Sequence, residues 1–223
     1  MTGAAPSLGA LLTLVMLALI PLVLMAGTSF VKASIVLSIL RNALGAQGVL
    51  SGTVIVALAA LLTAYVMAPV AEAAFQAAAS PLAALDVDAP LAGQQRARAL
   101  EALSLASEPL RAFLERNAGV PERKLFLELR AGQTAPSALA VTDRDLMVVL
   151  PAFLITELKE ALQIGLLLLL PFLVVDLVIS SVLAALGMSS LSPATVALPL
   201  KLLVFLSVDG FAALARALVT GYG

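Results

Sequence analysis

The feature that most constrains this chain is a strongly apolar stretch near its end that contains three charged residues. Residues 171–209 read PFLVVDLVISSVLAALGMSSLSPATVALPLKLLVFLSVD, with Asp176, Lys201 and Asp209 inside the apolar runs. A charge at the centre of a bilayer helix costs on the order of 3 kcal/mol or more. The chain must therefore pair these charges, hydrate them, or hold this stretch away from lipid.

The composition is that of a membrane protein. Of the 223 residues, 61% are apolar and 12% are charged, and the mean hydropathy is +1.08, whereas a soluble domain is roughly half apolar and a quarter charged. Residues 72–147 carry eight Lys/Arg and ten Asp/Glu, but residues 1–71 contain only Lys32 and Arg41. This distribution predicts three parts: N-terminal hydrophobic helices (1–71), a polar helical insert (72–147) and a charged C-terminal helical hairpin (148–223).

The residue types that are missing exclude most catalytic chemistry. The chain has no Cys and no His, which excludes thiolate nucleophiles, histidine-based triads, disulfides and nearly all zinc sites. It also lacks a glycine-rich phosphate loop and a basic, aromatic surface of the kind that binds nucleic acid. We therefore expect no disulfide, hardly any zinc chemistry and no nucleic-acid partner.

Two runs before the insert are long and apolar enough to span a bilayer: Leu8–Ala26 and Val49–Ala71. No positively charged region precedes the first run, which favours an uncleaved helix over a signal peptide. Between the runs, Lys32 and Arg41 lie on a predicted helix that ends near Leu44, and no acidic residue is nearby in the sequence.

The positive-inside rule makes this basic connection cytoplasmic, so the second run carries the insert to the outer side. The insert is long enough to cross a membrane regardless of its own charge. The basic helix itself has two interpretations: a solvated surface helix, which we favour, or a contact surface for a cytoplasmic partner.

Proline and glycine predict the breaks in the rest of the chain. Residues 76–93 are expected to be a loose connection. A helix over 94–117 is expected to break at residues 107–109, and a shorter helix follows over 122–130. Residues 142–145 resemble a helix start, and Pro151 is expected to interrupt the run that follows.

The last third is predicted to be a hairpin of two helices of roughly 25 residues each, joined by a tip at residues 187–193. Asp176 lies twelve residues before Met188, about 18 Å from the tip, and Lys201 lies about 12 Å from it. A lysine stem spans such a difference. Asp176–Lys201 is therefore the preferred ion pair, within one hairpin or between neighbouring copies.

The charges in and before the hairpin are interpreted as subunit-pairing groups. They are Glu157, Lys159, Asp176, Lys201 and Asp209. Two other interpretations are a proton pathway and, together with or instead of subunit pairing, the lining of a water-filled channel. The interspersed lysine and the absence of His disfavour a proton relay, so we favour assembly and pore lining.

Long, ordered segments of the sequence resemble one protein family. PAFLITELKEALQIGLLLLLPFLVVDLVISSVLAALGM and SPATVALPLKLLVFLSVDGF, together with the earlier TSFVKASIVLSILRNALGAQ and TAYVMAPV, are similar to the export-gate proteins of type III secretion systems. These are called SctR in injectisomes and FliP in flagella. The matching segments cover about half of the chain, and the insert matches only in position and general character.

The resemblance implies a pentamer that joins SctS- and SctT-like subunits (FliQ- and FliR-like) in a mostly closed pore complex. SctU- and SctV-like subunits (FlhB- and FlhA-like) lie nearby, and unfolded secreted proteins pass through as cargo. The complex lies in the bacterial inner membrane, with its core towards the periplasm. Energy is supplied through other subunits, so the resemblance implies a chain that is not an enzyme, with no catalytic residue, no cofactor and no metal.

The resemblance also places a methionine-rich gasket at the hairpin tip. Here the tip contains Met188, Ser189, Ser190 and Leu191, so these four residues are the candidate constriction. Either Met188 and Leu191 suffice for the seal, or a partner subunit supplies more of it. The departures at the tip and in the turn after Gln47, with the lack of a convincing signal peptide, favour an injectisome over a flagellum.

The sequence therefore predicts an all-α membrane protein with about four long hydrophobic helices, acting as a pore subunit of an export gate. One rival is an ion- or proton-coupled transporter or channel subunit that uses its carboxylates. A second is a membrane anchor that carries a periplasmic binding domain.

Overall fold

The fold is entirely helical over the part of the chain that the structure, a computed structural model, describes: residues 25–46, 48, 50–84, 93–133, 142–188 and 190–222. Seven helices lie in these ranges: α1 Phe30–Leu44, α2 Gly52–Ala83, α3 Gln94–Asn117, α4 Val120–Gln133, α5 Leu146–Ala185, α6 Pro193–Ser207 and α7 Gly210–Thr220. The predicted all-α class is confirmed. The first predicted span lies outside the described residues except for Met25 and Ala26.

Two of the described helices are long and apolar enough to cross a membrane. They are α2 and α5, and the bent pair α6–α7 adds a third if it forms one span despite its 61° bend. The predicted second span is confirmed, but α2 continues beyond it to Ala83. The boundary expected after residue 71 therefore falls inside α2, and residues 76–83 are helical rather than a loose connection. The boundary expected after residue 147 falls just inside α5, which begins at Leu146.

Helix α1 is the centre of the larger core. Its apolar residues recur at helical spacing and pack against α2, α5, α6 and α7, around Val36, Leu40 and Leu44. The expectation of a solvated surface helix is wrong, because long helices from distant parts of the sequence cover α1. Its predicted end is confirmed by Gly45, which adopts a left-handed conformation with φ 70°.

Helices α1 and α5 approach each other closely at Gly165. A Cβ atom at this position would overlap the side chain of Ile39 on α1. Small residues allow two helix backbones to come together in this way, which is a common packing device in membranes. Gly165 therefore sets the distance between the two helices.

A second, smaller core joins the polar insert to the beginning of α5. Phe113 and Leu114 of α3 pack with Phe153 of α5 and with Tyr222, which follows α7. The turn between α3 and α4 is fixed by a hydrogen bond of 2.9 Å from the Gly119 N–H to the Thr156 hydroxyl. The insert is thus attached to the membrane helices and does not hang from them as an independent unit.

Two of the breaks expected from proline, at residues 107–109 and at Pro151, do not occur. Helix α3 runs through Pro109, and α5 runs through both Pro151 and Pro171. A proline removes one helical hydrogen bond and crowds the preceding turn. Packing of α3 against α2 and α5, and the burial of Ala152 and Phe153 next to Pro151, keep these helices continuous.

The hairpin has unequal arms. Its first arm is the 40-residue α5, and its second arm is broken into α6 and α7. The break lies at Asp209, which has φ 50°, and at Gly210, where a Cβ atom would overlap the ring of Phe205. The prediction of two helices of similar length is wrong, because this local backbone geometry divides the second arm into two short helices.

Candidate functional site: buried charges and the hairpin tip

The structure brings Asp176 and Lys201 together within one chain. Lys201 Nζ lies 2.6 Å from Asp176 Oδ2, and it also donates a hydrogen bond of 2.9 Å to the carbonyl oxygen of Ala43. This carbonyl belongs to the last turn of α1, where a cation is favoured by the helix dipole. One ammonium group therefore ties α1, α5 and α6 together.

The two members of this pair differ in exposure. Lys201 is buried, but the side chain of Asp176 is 41% exposed. A cleft of about 560 Å³ opens beside them and is also lined by the hydroxyl-bearing residues Ser180, Ser192 and Thr195. Asp176 thus has one oxygen engaged inside the chain and presents a carboxylate edge to its surroundings.

A second charged cluster lies deeper in the protein, around Lys32. Lys32 Nζ lies 3.1 Å from Glu157 Oε1 and 2.7 Å from Glu160 Oε2. Lys32 and Glu157 are only 2% and 1% exposed. Burial of an isolated charge is costly, so the two residues compensate each other and join α1 to α5.

Tyr222 completes this cluster. Its hydroxyl group donates a short hydrogen bond to Glu157 Oε2, and the Lys32 ammonium lies 4.1 Å from the centre of its ring. The ring also stacks on Phe113 of the insert, with 5.7 Å between the two ring centres. Burial, reinforced by the adjacent carboxylates, raises the pKa of the Tyr222 phenol, so the hydroxyl remains a donor.

Lys159 of α5, and Arg144 just before α5, form surface ion pairs with helices α4 and α3. Lys159 Nζ lies 3.3 Å from Glu122 Oε1 of α4. Arg144 Nε lies 3.0 Å from Glu115 Oε1, and its guanidinium also reaches Glu108 at 3.3 Å. The hydrogen bond and charge of Glu115, with the charge of Glu108, raise the pKa of Arg144.

Asp209 stands apart from the other predicted charges. It lies at the bend between α6 and α7, its side chain is exposed, and it makes no capping hydrogen bond to α7. Its left-handed backbone conformation is uncommon for a residue with a side chain. The structure thus assigns Asp209 a place in the bend rather than in an ion pair of the single chain.

The tip of the hairpin presents apolar side chains to the surroundings. Helix α5 ends at Ala185, and Gly187 then adopts the left-handed conformation. The N–H of Met188 donates a hydrogen bond of 3.0 Å to the carbonyl oxygen of Leu183. This Schellman arrangement fixes the direction in which Met188 leaves the helix. Met188, Ser190 and Leu191 are exposed, and Ser189 lies outside the described residues.

Sequence reasoning missed the two residues that complete the buried cluster. The sequence predicts Lys32 only on a solvated or partner-binding basic helix with no acidic residue nearby, and it gives no prediction for Tyr222. The signal available was the charge itself, because a lysine on an apolar helix needs a partner from another segment. Among the described residues, no three His, Cys, Asp or Glu side chains are grouped so that they could hold a metal ion.

The sequence is similar to known proteins over nearly its full length. The sequence profile of the FliP family matches residues 12–218. The chain belongs to the FliP family. FliP-family relatives include "Pathogenicity-related ORF2" of Xanthomonas campestris pv. glycines, which is 40% identical over 97% of this chain and 98% of the relative.

Two further relatives have names that refer to secretion and to flagella. "Hypersensitivity response secretion protein HrcR" of Ralstonia nicotianae is 40% identical, over 93% of this chain and 94% of HrcR. "Flagellar biosynthetic protein FliP" of Caulobacter vibrioides is 39% identical, over 92% of this chain and 73% of that protein. Family membership makes this chain a membrane component of an export apparatus of the type III secretion and flagellar kind.

Proposed function

We propose that this FliP-family chain is a pore-forming core subunit of a type III secretion export gate, through which unfolded proteins cross the bacterial inner membrane. In this proposal five copies form a ring that joins SctS- and SctT-like subunits, next to SctU- and SctV-like subunits, with its core towards the periplasm. The nearly full-length match to HrcR supports an injectisome. The subunit itself performs no catalytic step.

The observation that carries this proposal is the outer face of α5. Only 6% of its most apolar 18-residue window is buried within the chain. The exposed leucines recur at spacings of three and four along one face, at Leu158, Leu162, Leu166, Leu170 and Leu173. An apolar face of this length must be covered by lipid or by other subunits. In a multi-subunit gate, the neighbouring subunits provide this cover.

The predicted subunit-pairing charges divide into two groups by exposure. Glu157 and Lys201 are buried and paired inside the chain, whereas Asp176, Lys159 and Asp209 present polar atoms at the surface. We assign direct contacts between subunits to the second group. Glu157 and Lys201 then act through the helices that they hold in place.

The constriction is assigned to the tip, at Met188, Ser189, Ser190 and Leu191. Thioether and aliphatic side chains are apolar and adaptable, which suits a seal around cargo of variable sequence. The exposure of Met188 and Leu191 in the single chain leaves both side chains available for this seal.

Native mass spectrometry of the detergent-extracted protein tests the proposal, with the protein expressed alone and with its SctS- and SctT-like neighbours. We expect a discrete pentamer that takes up those neighbours. A monomer or dimer that ignores them, in a detergent that preserves related complexes, contradicts the export-gate assignment.

Neutralisation of Asp176 separates this proposal from an ion- or proton-coupled transporter. With Asp176→Asn we expect loss of the oligomer, because the carboxylate both holds Lys201 and faces the cleft. A transporter instead keeps its oligomer and loses ion flux. Glu101→Gln, on an exposed position of the insert, is the matched control and leaves the oligomer intact.

A further inference from the structure

Helix α7 packs into the larger core along one face only. Its buried residues, Gly210, Leu214 and Leu218, form a single stripe along one face. A groove of about 600 Å³ lies between this helix and α5, and it is lined by Leu167, Pro171 and Ala217 among other apolar residues. The middle of α7 therefore lacks close packing against α5.

The first end of α7 has the geometry of a hinge. Asp209 adopts φ 50° and ψ 47°, so the chain direction changes by 61° between α6 and α7. The left-handed conformation is unfavourable for most residues other than glycine, and Asp is one of the few that adopt it more readily. The Phe205 ring occupies the space where a Cβ atom of residue 210 would lie, which keeps the bend compact.

The second end of α7 leads within two residues to Tyr222, which contacts three separate elements. Its hydroxyl bonds to Glu157 of α5, its ring faces Lys32 of α1, and the same ring stacks on Phe113 of the insert. Tyr222 is thus the contact through which the insert and the end of α7 meet.

We propose that α7 is a strap with a hinge at Asp209 and a latch at Tyr222. While Tyr222 remains in contact with Glu157, Lys32 and Phe113, the latch keeps Leu214 and Leu218 in the larger core. Release of Tyr222 lifts α7 and widens the groove beside α5. Because Phe113 is part of the seat, the position of the polar insert controls how firmly α7 is closed.

The test uses the absence of cysteine from the chain. Leu214, which is 5% exposed, is replaced by cysteine in the full-length protein in detergent, and its reaction with a small maleimide is timed. In this background Tyr222→Phe removes only the hydroxyl. We expect labelling at position 214 to become about tenfold faster, which corresponds to about 1.4 kcal/mol.

Phe113→Leu tests the link to the insert in the same background. We expect faster labelling at position 214 here too, because the stacked ring that supports Tyr222 is lost. Tyr65→Phe is the matched control, since Tyr65 is the chain's other tyrosine and is exposed. It leaves the labelling rate unchanged.

Two reporter positions separate strap opening from other effects. Ala212→Cys, exposed on the same helix, labels at the same rate whether residue 222 is Tyr or Phe. Leu40→Cys, buried in α1, reports general unfolding. Equal acceleration at positions 40 and 214, or no acceleration at position 214, overturns the strap.

Discussion

At the scale of single residues, the protein is organised by charges that find partners far along the chain. Lys32 meets Glu157 and Glu160, and Lys201 meets Asp176 and the carbonyl of Ala43. Each lysine joins α1 to the long helix α5. Buried ion pairs add little net stability compared with apolar packing, and in some proteins they specify which partners meet. Both lysines connect α1 with α5 at defined positions along the two helices.

Removing one member of the buried pair is expected to be more damaging than removing both. Lys32→Met leaves Glu157 without its cation and should lower the free energy of unfolding by about 3–5 kcal/mol. The double variant Lys32→Met/Glu157→Gln should regain a large part of this loss, because no buried charge remains and the amide still accepts from Tyr222. Denaturant unfolding in detergent measures both values.

The control for this comparison is Lys124→Met, which removes an exposed lysine from α4. Its stability should stay within about 0.5 kcal/mol of the parent. If the double variant is as unstable as Lys32→Met, the compensation between Lys32 and Glu157 is not the cause of the loss.

Gly165 should tolerate no large side chain. Gly165→Val places its Cβ atom in the space of Ile39 and should cost about 1–3 kcal/mol through forced separation of α1 and α5. Gly132→Ala on α4 is the opposite case, because nothing lies within 4 Å of its Cβ position. That substitution should stabilise the protein by up to about 1 kcal/mol. Thermal unfolding in detergent compares the two, and equal effects contradict the close approach.

At the scale of elements, helix continuity depends on packing more than on local breakers. Helix α5 extends over 40 residues despite Pro151 and Pro171, whereas the second arm bends at Asp209, between α6 and α7, without any proline there. The unusual backbone at Asp209 and the ring of Phe205 over Gly210 produce that break. The two arms of the hairpin therefore differ in stiffness, and the bend lies in the shorter arm.

The two residues of the bend should respond oppositely to substitution. Asp209→Gly relieves a left-handed conformation that glycine adopts freely, so stability should be unchanged or rise by up to about 1 kcal/mol. Gly210→Ala introduces a Cβ atom against Phe205 and should lower stability by about 1–3 kcal/mol. Thermal unfolding of the single chain in detergent decides. A large loss with Asp209→Gly indicates that its carboxylate, and not its backbone, maintains the bend.

At the scale of the whole molecule, two cores and one uncovered face define the subunit. The larger core surrounds α1, and the smaller one joins the insert to α5 around Phe113, Phe153 and Tyr222. The outer face of α5 remains uncovered in the single chain. This division fits a subunit that is internally well connected and completes its apolar surface in a larger assembly.

The uncovered face gives a test at this scale, which depends on the proposed gate. A cysteine in place of the exposed Leu166 should react with a membrane-impermeant maleimide more slowly in the assembled complex than in the single subunit in the same detergent. Leu103→Cys, exposed on the insert, is the control for reagent access. Equal protection of position 166 in both forms indicates detergent or lipid as its cover and contradicts a subunit contact there.

The sequence by itself determined the class of the protein, the ends of several helices and one ion pair. Hydropathy identified the membrane helices because each residue contributes to it independently of the fold. Gly45 and Gly187 marked helix ends in the sequence, and in the structure both adopt the left-handed conformation that glycine permits. The Asp176–Lys201 pair followed from the fixed rise of a helix on either side of one tip.

Only the tertiary structure decided where Lys32 and Tyr222 lie and which prolines are tolerated. Tyr222 meets Glu157 across 65 residues of sequence, and no local pattern encodes a contact over that distance. The prolines of α3 and α5 remain in continuous helices because neighbouring helices hold them. Local rules describe what a segment prefers alone, whereas burial and pairing depend on segments that meet only when the chain folds.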